Sequence, residues 1–207
     1  MSDDLASSES FRSFNSWWTS SGGYAPKCQF PAVFTPPDGS FKLNGVLCTE
    51  EIKPNEVICY VPNKILLSTE KARNSEIAEI FRAHKEMFVE HADRDFYVIL
   101  LYVLFEKSKG QESDWYTYFE TSQVVYVPGA WDDDKIEKFA CQELVMRIKI
   151  YKEAMNKEWL QLQNIIKSYT PKFFPEGLEV PIHEDFGLYM WATSFVASRY
   201  FGWGIPC

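Results

Sequence analysis

The stretch that most constrains the fold runs over residues 42–68, KLNGVLCTEEIKPNEVICYVPNKILLS. Two apolar, β-branched runs, 46–49 and 57–61, flank the segment 53–56. Proline fixes φ for the second position of a turn and asparagine tolerates the left-handed conformation, so the Pro-Asn pair in this segment predicts a tight turn. The stretch therefore predicts a β-hairpin whose second strand ends at Pro62, which cannot donate to a ladder.

Most of the remaining chain has helical periodicity. Apolar residues recur three and four apart in segments 11–18, 76–90 and 96–107, and in a long stripe from Ile136 to about Tyr169. Segment 96–107 is apolar nearly all round, which predicts a buried helix. A last helix is predicted over 186–200. The expected N-caps are Ser68 or Thr69 for a helix near Glu70, Asp93 or Asp95 for 96–107, and Asp185 for the last helix. Proline-rich residues 27–39 and 170–181 are predicted to be loops.

Three consecutive acids, Asp132, Asp133 and Asp134, precede the long stripe. Negative charge at the N-terminus of a helix is favoured by the macrodipole, whereas a metal site is the alternative interpretation. Consecutive side chains point in different directions, which favours the helix-terminal role. The three histidines, His84, His91 and His183, lack the spacing of a zinc site or a catalytic triad. No metal site is predicted.

Composition limits the environment and the partners. The net charge of −8 argues against a nucleic-acid surface. Five scattered cysteines without a CxxC pair favour reduced thiols over a disulfide framework. Residues 1–10 are predicted to be a flexible tail and lack the apolar core of a signal peptide, and the longest apolar run, 96–105, is far shorter than the ~20 residues of a membrane helix. We therefore predict a cytoplasmic or nuclear protein without nucleic-acid or membrane partners.

Four stretches carry a more specific pattern. They are Phe14-x-x-Trp17 followed by glycine; Gly45, Ile52, Glu56, Val61-Pro62 and Leu66-Leu67-Ser68; LYVLFEKSKGQESDW at 101–115 with Tyr118-Phe119; and WATSFVASRYF at 191–201. In this order they resemble the SET-domain protein methyltransferases of the Rubisco large-subunit lysine methyltransferase class. This class carries a long helical insert and includes the actin histidine methyltransferase.

The resemblance implies an α+β fold with a partial SET β core, its N-terminal half, and a large, mostly α-helical insert. It implies an N-terminal SET half over residues 11–72 and the insert over 73–183. Residues 184–207 would begin the C-terminal SET half and stop before the family's Asn-His motif.

The resemblance also implies chemistry. The family uses S-adenosylmethionine to methylate a lysine, or a histidine, of a protein substrate. By resemblance Gly45, Glu56, Ile58 and Arg199 bind the cofactor, with Arg199 near its carboxylate, for which a guanidinium is the natural bidentate partner. The main-chain carbonyls of Ser198 and Arg199 match positions near the target amine, so both residues are expected to bind the substrate.

Each of these residues also has a structural interpretation. Glu56 could be the solvated end of the predicted turn, and Ile58 could be an ordinary core residue, as apolar strand residues usually are. Arg199 could be a favourable cation at the C-terminus of a helix.

The sequence departs from the family at two places. Leu43-Asn44-Gly45-Val46 keeps only the second glycine of the family's Gly-x-Gly-Leu. No asparagine is followed by histidine, and no tyrosine stands in the context of the family's catalytic tyrosine, so no catalytic residue is assigned. Three hypotheses follow: a methyltransferase represented by a truncated, inactive chain; a non-enzymatic binding or scaffold protein; or a half-enzyme completed by another chain. Exposed strand edges would discriminate between them.

Overall fold

The computed structural model describes residues 9–40, 42–122, 124–138, 141–175 and 178–201. The strands are β1 (Cys28–Phe34) and β2 (Leu43–Cys48), and the helices are α1 (Glu9–Ser20), α2 (Thr69–Arg73), α3 (Ala78–Ala83), α4 (Arg94–Ser108), α5 (Tyr116–Thr121), α6 (Asp133–Glu137), α7 (Gln142–Phe173) and α8 (Phe186–Arg199). A π-helical turn spans Glu86–Glu90. The predicted α+β class is confirmed, with helices predominating over a small sheet. None of the helices in these ranges has the length and apolarity needed to cross a membrane.

The chain divides into two compact units. The first comprises the described residues of Met1–Leu66 and Gln111–Gln123, and therefore holds α1, α5 and the sheet. The second comprises the described residues of Leu67–Gly110 and Val124–Cys207. Residues 111–122, which lie inside the predicted insert, fold with the first unit.

The sheet pairs other segments than the predicted hairpin. β2 contains most of the first predicted strand, but it pairs antiparallel with β1, which lies in the predicted loop 27–39. The register shifts between Gln29 and Ala32, and Pro31 lies in this irregularity, where a strand tolerates a residue without an N–H. The predicted second strand, 57–61, forms only an isolated bridge from Tyr60 to Tyr24. The hairpin prediction was therefore wrong in its partner.

The turn at 53–56 is confirmed. Asn55 has a positive φ of 66°, and the amide of Glu56 donates to the carbonyl of Lys53 at 3.1 Å. This turn leads from β2 into an extended segment rather than into a second ladder strand.

Aromatic packing joins the elements of the first unit. The Phe14 ring on α1 lies 5.6 Å from Phe30 and 6.2 Å from Tyr118 on α5. Trp115, just before α5, is buried and donates its indole N–H to the carbonyl of Ile65 at 2.8 Å. The conspicuous aromatic residues of two of the four sequence stretches are therefore structural.

The second unit has its core around α4, α7 and α8. Residues 97–106 of α4 are all buried, as its all-round apolar pattern predicts. On α7 the predicted stripe is confirmed for Met155, Trp159, Leu162 and Ile166, which are buried, but Leu144 is 42% exposed. The predicted N-caps Ser68 and Asp185 accept hydrogen bonds from the amides of Lys71 and Leu188, at 3.2 and 2.7 Å.

Three helix boundaries differ from the prediction. Segment 76–90 is not one helix, because α3 ends before His84 and the π-helical turn follows. Asp132 begins the short α6 and not the long helix, and Ile136 of α6 packs against Val145 and Ile148 of α7. Residues nine and twelve apart cannot touch within one straight helix, because each residue adds 1.5 Å of rise.

The third difference is the end of α7, which continues through Pro171 to Phe173 although a loop was predicted from residue 170. Phe174 follows directly, is buried, and packs edge-on against Phe105 at 5.8 Å. Tertiary packing of this side chain outweighs the helix-breaking tendency of one proline in the last turn.

Candidate functional site

Gly45 lies in β2, where the Phe34 ring of β1 packs across it. A Cβ at this position would lie 2.7 Å from the Phe34 ring. A side chain here would force that exposed ring to move, so glycine also has a packing reason to occupy this position. The neighbouring Asn44 has a buried side-chain oxygen for which no partner is present among the described residues.

Glu56 is held within the predicted turn. Its carboxylate accepts the amide of Lys53 at 2.9 Å and forms an ion pair with Lys27 at 2.6 Å. The hydrogen bond from Lys27, followed by that from the Lys53 amide, holds the pKa of Glu56 below its usual range. The carboxylate is therefore ionised and fixed in direction at neutral pH. Its two contacts stabilise the turn, as the structural interpretation of Glu56 predicts.

Ile58 is 56% exposed in the extended segment that follows this turn. Ile58 is therefore not a core residue within the described chain. An exposed apolar side chain two residues beyond Glu56 is available for contact with an apolar part of a ligand.

Ser198 and Arg199 lie in the last turn of α8. The Arg199 guanidinium stacks 4.7 Å over the Phe195 ring and donates to the Ser198 hydroxyl at 2.8 Å. That hydroxyl in turn donates to the carbonyl of Ser194 at 2.8 Å. The arginine is thus oriented by an aromatic face and a hydroxyl. It also satisfies the dipole interpretation, because it is a cation at the C-terminus of a helix.

The predicted residues are distributed over both units. Gly45, Glu56 and Ile58 belong to the first unit, whereas Ser198 and Arg199 belong to the second. Within the first unit, Glu56 ends the turn and Ile58 follows it two positions later, and both side chains reach the surface. Among the described residues, no three His, Cys, Asp or Glu side chains are arranged to hold a metal ion; Asp133 of the acidic triplet instead pairs with Lys152 at 2.7 Å.

Sequence patterns do not predict the cleft of about 820 Å³ that lies in the second unit. Its walls come from the region of the π-helical turn and from α7, and it is lined by Arg82, Ala83, His84, Lys85, Glu86, Met87, Glu90, His91, Tyr97, Glu158, Gln161, Asn164 and Ile165. Burial, and then the facing Glu158 carboxylate, strongly raise the pKa of Tyr97, which keeps this phenol neutral. None of the predicted site residues lines this cleft.

Comparison with known proteins gives consistent results. No protein-family model matches the chain. The chain is 24% identical over 162 residues to the chloroplastic ribulose-1,5-bisphosphate carboxylase/oxygenase large subunit N-methyltransferase of Pisum sativum, which covers 76% of this chain and 29% of that protein. It is 21% identical over 158 residues to the actin-histidine N-methyltransferase of Gallus gallus, covering 75% of this chain and 25% of that protein.

Solved structures agree. The crystal structure of the SET domain of LSMT bound to lysine and AdoHcy superimposes with a TM-score of 0.71 at 20% identity, over 94% of this chain and 41% of that one. The structure of Rubisco LSMT bound to AdoMet gives a TM-score of 0.71 at 21% identity over the same shares. The chain has the fold of part of the LSMT SET domain.

The resemblance to LSMT-type SET-domain proteins is thereby confirmed at the level of the fold. The chain spans about two-fifths of these solved SET-domain chains, and less than a third of the two curated relatives. The two LSMT structures named above hold AdoHcy and AdoMet.

Proposed function

We propose that this chain is part of an S-adenosylmethionine-dependent protein N-methyltransferase, with lysine as the target side chain and histidine as the alternative. The observation that supports the proposal most is the SET fold shared with LSMT structures that hold AdoMet and AdoHcy. The relatives named for Rubisco and for actin act on proteins, which favours a protein substrate.

The described residues suit the cofactor. Arg199 offers a planar, permanently charged fork to the cofactor's carboxylate, and stacking on Phe195 limits the freedom it would lose on binding. Ile58 offers exposed apolar surface. At Gly45, where the Phe34 ring packs across the backbone, the assignment rests on the resemblance alone. S-adenosylmethionine supplies a sulfonium methyl group. The carbonyls of Ser198 and Arg199 would favour the positive charge near the target amine, where positioning and preorganised dipoles lower the barrier.

We further propose that these 207 residues alone do not transfer a methyl group, because the family's Asn-His pair is absent from the sequence. One observation favours the hypothesis of a half-enzyme completed by another chain. Large apolar side chains of the sheet and of segment 57–61 are exposed, namely Val33, Phe34, Leu43, Val46, Leu47, Val57, Ile58 and Tyr60. Such a surface on so small a sheet is typical of an interface. We propose a cytoplasmic or nuclear location for the protein.

The test of the assigned residues is a comparison of two arginine variants. We expect Arg199→Ala to weaken S-adenosylmethionine binding at least about tenfold, because a hydrogen bond to a charged group contributes roughly 1.5–3 kcal/mol. The matched control is Arg147→Ala on α7, whose arginine is largely exposed and pairs only with Glu143 four residues earlier among the described groups. We expect its dissociation constant to equal that of the parent chain. Equal affinities for both variants in equilibrium dialysis would exclude Arg199 from the cofactor site.

A further inference from the structure

Three of the cysteines form a thiol cluster in the first unit. Cys28 in β1 stands directly opposite Cys48 in β2. Cys59 follows Ile58, and the Cys28 Sγ lies 4.0 Å from the Ile58 carbonyl oxygen. Cys48 and Cys59 are exposed and Cys28 is partly buried. The sheet thus brings together Cys28 and Cys48, which are far apart in the sequence, and Cys59 follows the residue whose carbonyl the Cys28 thiol approaches.

The hydrogen-bonding pattern of the sheet defines how close the first two thiols are. The amide of Thr49 donates to the carbonyl of Lys27 at 2.9 Å, which marks these residues as a hydrogen-bonded pair. Antiparallel pairs alternate, so the next pair, Cys28 and Cys48, is of the non-hydrogen-bonded type, in which Cα atoms lie about 4.5 Å apart and side chains are closest. A disulfide spans Cα separations of about 4.4–6.8 Å. The two cysteines therefore stand at a spacing that a disulfide can bridge.

We propose that Cys28 and Cys48 form a reversible cross-strand disulfide, and that Cys59 takes over the bond by exchange, so that Cys28 alternates between two partners. A small disulfide such as oxidised glutathione is the oxidant: the two protein thiols lose two electrons and two protons, their sulfurs join, and the oxidant's S–S bond is reduced to two thiols. In the exchange, the Cys59 thiolate attacks the Cys28 sulfur, the Cys28–Cys48 bond breaks, and Cys48 leaves as a thiolate that takes up a proton.

The two disulfides have different consequences. The Cys28–Cys48 bond lies within the sheet and adds no covalent link to segment 57–61, which the Tyr60–Tyr24 bridge holds. The Cys28–Cys59 bond covalently ties that segment, which carries Ile58 and directly follows Glu56, to β1. Cofactor binding is not required for either bond, so the proposal stands apart from the proposed function.

Exchange should accelerate with rising pH. Partial burial, followed by the facing Cys48 thiol, raises the pKa of Cys28, and burial, followed by Cys28, raises that of Cys59. Because the thiolate is the attacking species, the fraction able to react at neutral pH is small and grows as the pH approaches these values.

The test uses the full chain with Cys141→Ser and Cys207→Ser, so that only the three clustered thiols remain. The folded protein is incubated with oxidised glutathione, free thiols are blocked with a maleimide, and the chain is cleaved after lysine, arginine and glutamate. This cleavage separates Cys28, Cys48 and Cys59, because Lys42, Glu50, Glu51 and Glu56 lie between them. Mass spectrometry then identifies the linked peptides.

We expect the Cys28–Cys48 link as the main early product, with the Cys28–Cys59 link increasing with time and pH. In the same background, Cys48→Ser should give only the Cys28–Cys59 link, and Cys28→Ser should give no internal disulfide. Any of three results would overturn the proposal. The first is that the maleimide blocks all three thiols equally after oxidation, so that no disulfide has formed, and the second is that only mixed disulfides with glutathione appear. The third is a Cys48–Cys59 link in the Cys28→Ser chain. Circular dichroism of each variant establishes that the compared chains are folded.

Discussion

Replacing Leu162 by Ala is expected to lower the free energy of unfolding by about 2–5 kcal/mol. Leu162 on α7 is only 1% exposed, so the truncation leaves a cavity in the core of the second unit. The matched control is Leu160→Ala, two residues earlier on the same helix, where the side chain is 57% exposed. The change in intrinsic helix propensity is the same in both variants, so the difference between them reports burial alone.

The free energy of unfolding of both variants is measured by urea unfolding followed by far-ultraviolet circular dichroism. We expect the free energy of unfolding of Leu160→Ala to stay within about 0.5 kcal/mol of that of the parent. Comparable destabilisation by the two substitutions would mean that α7 does not present the face described above to the core.

Trp115→Ala is expected to destabilise the first unit by about 3–5 kcal/mol, because a large buried aromatic side chain is lost. Trp115 is 4% exposed and its indole N–H donates to the carbonyl of Ile65 at 2.8 Å. Trp115→Phe keeps most of the apolar volume but removes the donor, which leaves a carbonyl oxygen without this partner and costs about 1–3 kcal/mol.

The order of the three proteins is the test: parent, then Trp115→Phe, then Trp115→Ala in decreasing stability. Limited proteolysis of the segment around Ile65, combined with urea unfolding, localises the effect to the first unit. If Trp115→Phe were as stable as the parent, the indole hydrogen bond would contribute nothing. If Trp115→Ala were also as stable, the tryptophan would not be a structural residue.

Features that depend on local sequence were predictable. Helices predicted from their local apolar patterns, such as α4 and α8, are present, and so are the caps Ser68 and Asp185. A cap, a turn or an apolar face depends on residues a few positions apart, so the sequence contains the whole signal. The turn at Asn55 belongs to the same class.

Features that depend on distant partners were not predictable. Pro31 is a loop signal and predicts a loop where β1 lies, and only the pairing of β1 with β2 reveals an irregularity that accommodates the proline. The break between α6 and α7 reflects the packing of Ile136 back onto Val145, which no periodicity encodes. The cleft in the second unit is not predictable from sequence patterns, because its walls come from segments nearly eighty residues apart, around Arg82 and Gln161.

The candidate site shows the same division. Arg199 was assigned from a motif, and its setting on Phe195 is local, because the two residues are four positions apart on α8. The ion pair of Glu56 with Lys27 joins distant positions and was not anticipated. Because no local pattern predicts this ion pair, the sequence alone does not distinguish a turn role from a cofactor role for Glu56.

Calorimetric titration of the purified 207-residue chain with S-adenosylmethionine is the most direct test of the proposed function. We expect saturable binding of one cofactor molecule per chain, with no binding of ATP, which shares the adenosine but lacks the amino-acid carboxylate. Absence of binding in a sample that circular dichroism shows to be folded would contradict the proposal that these residues form a usable cofactor site. The chain would then have to be understood as a SET-fold fragment with a non-enzymatic role, or as one that needs further polypeptide before it binds.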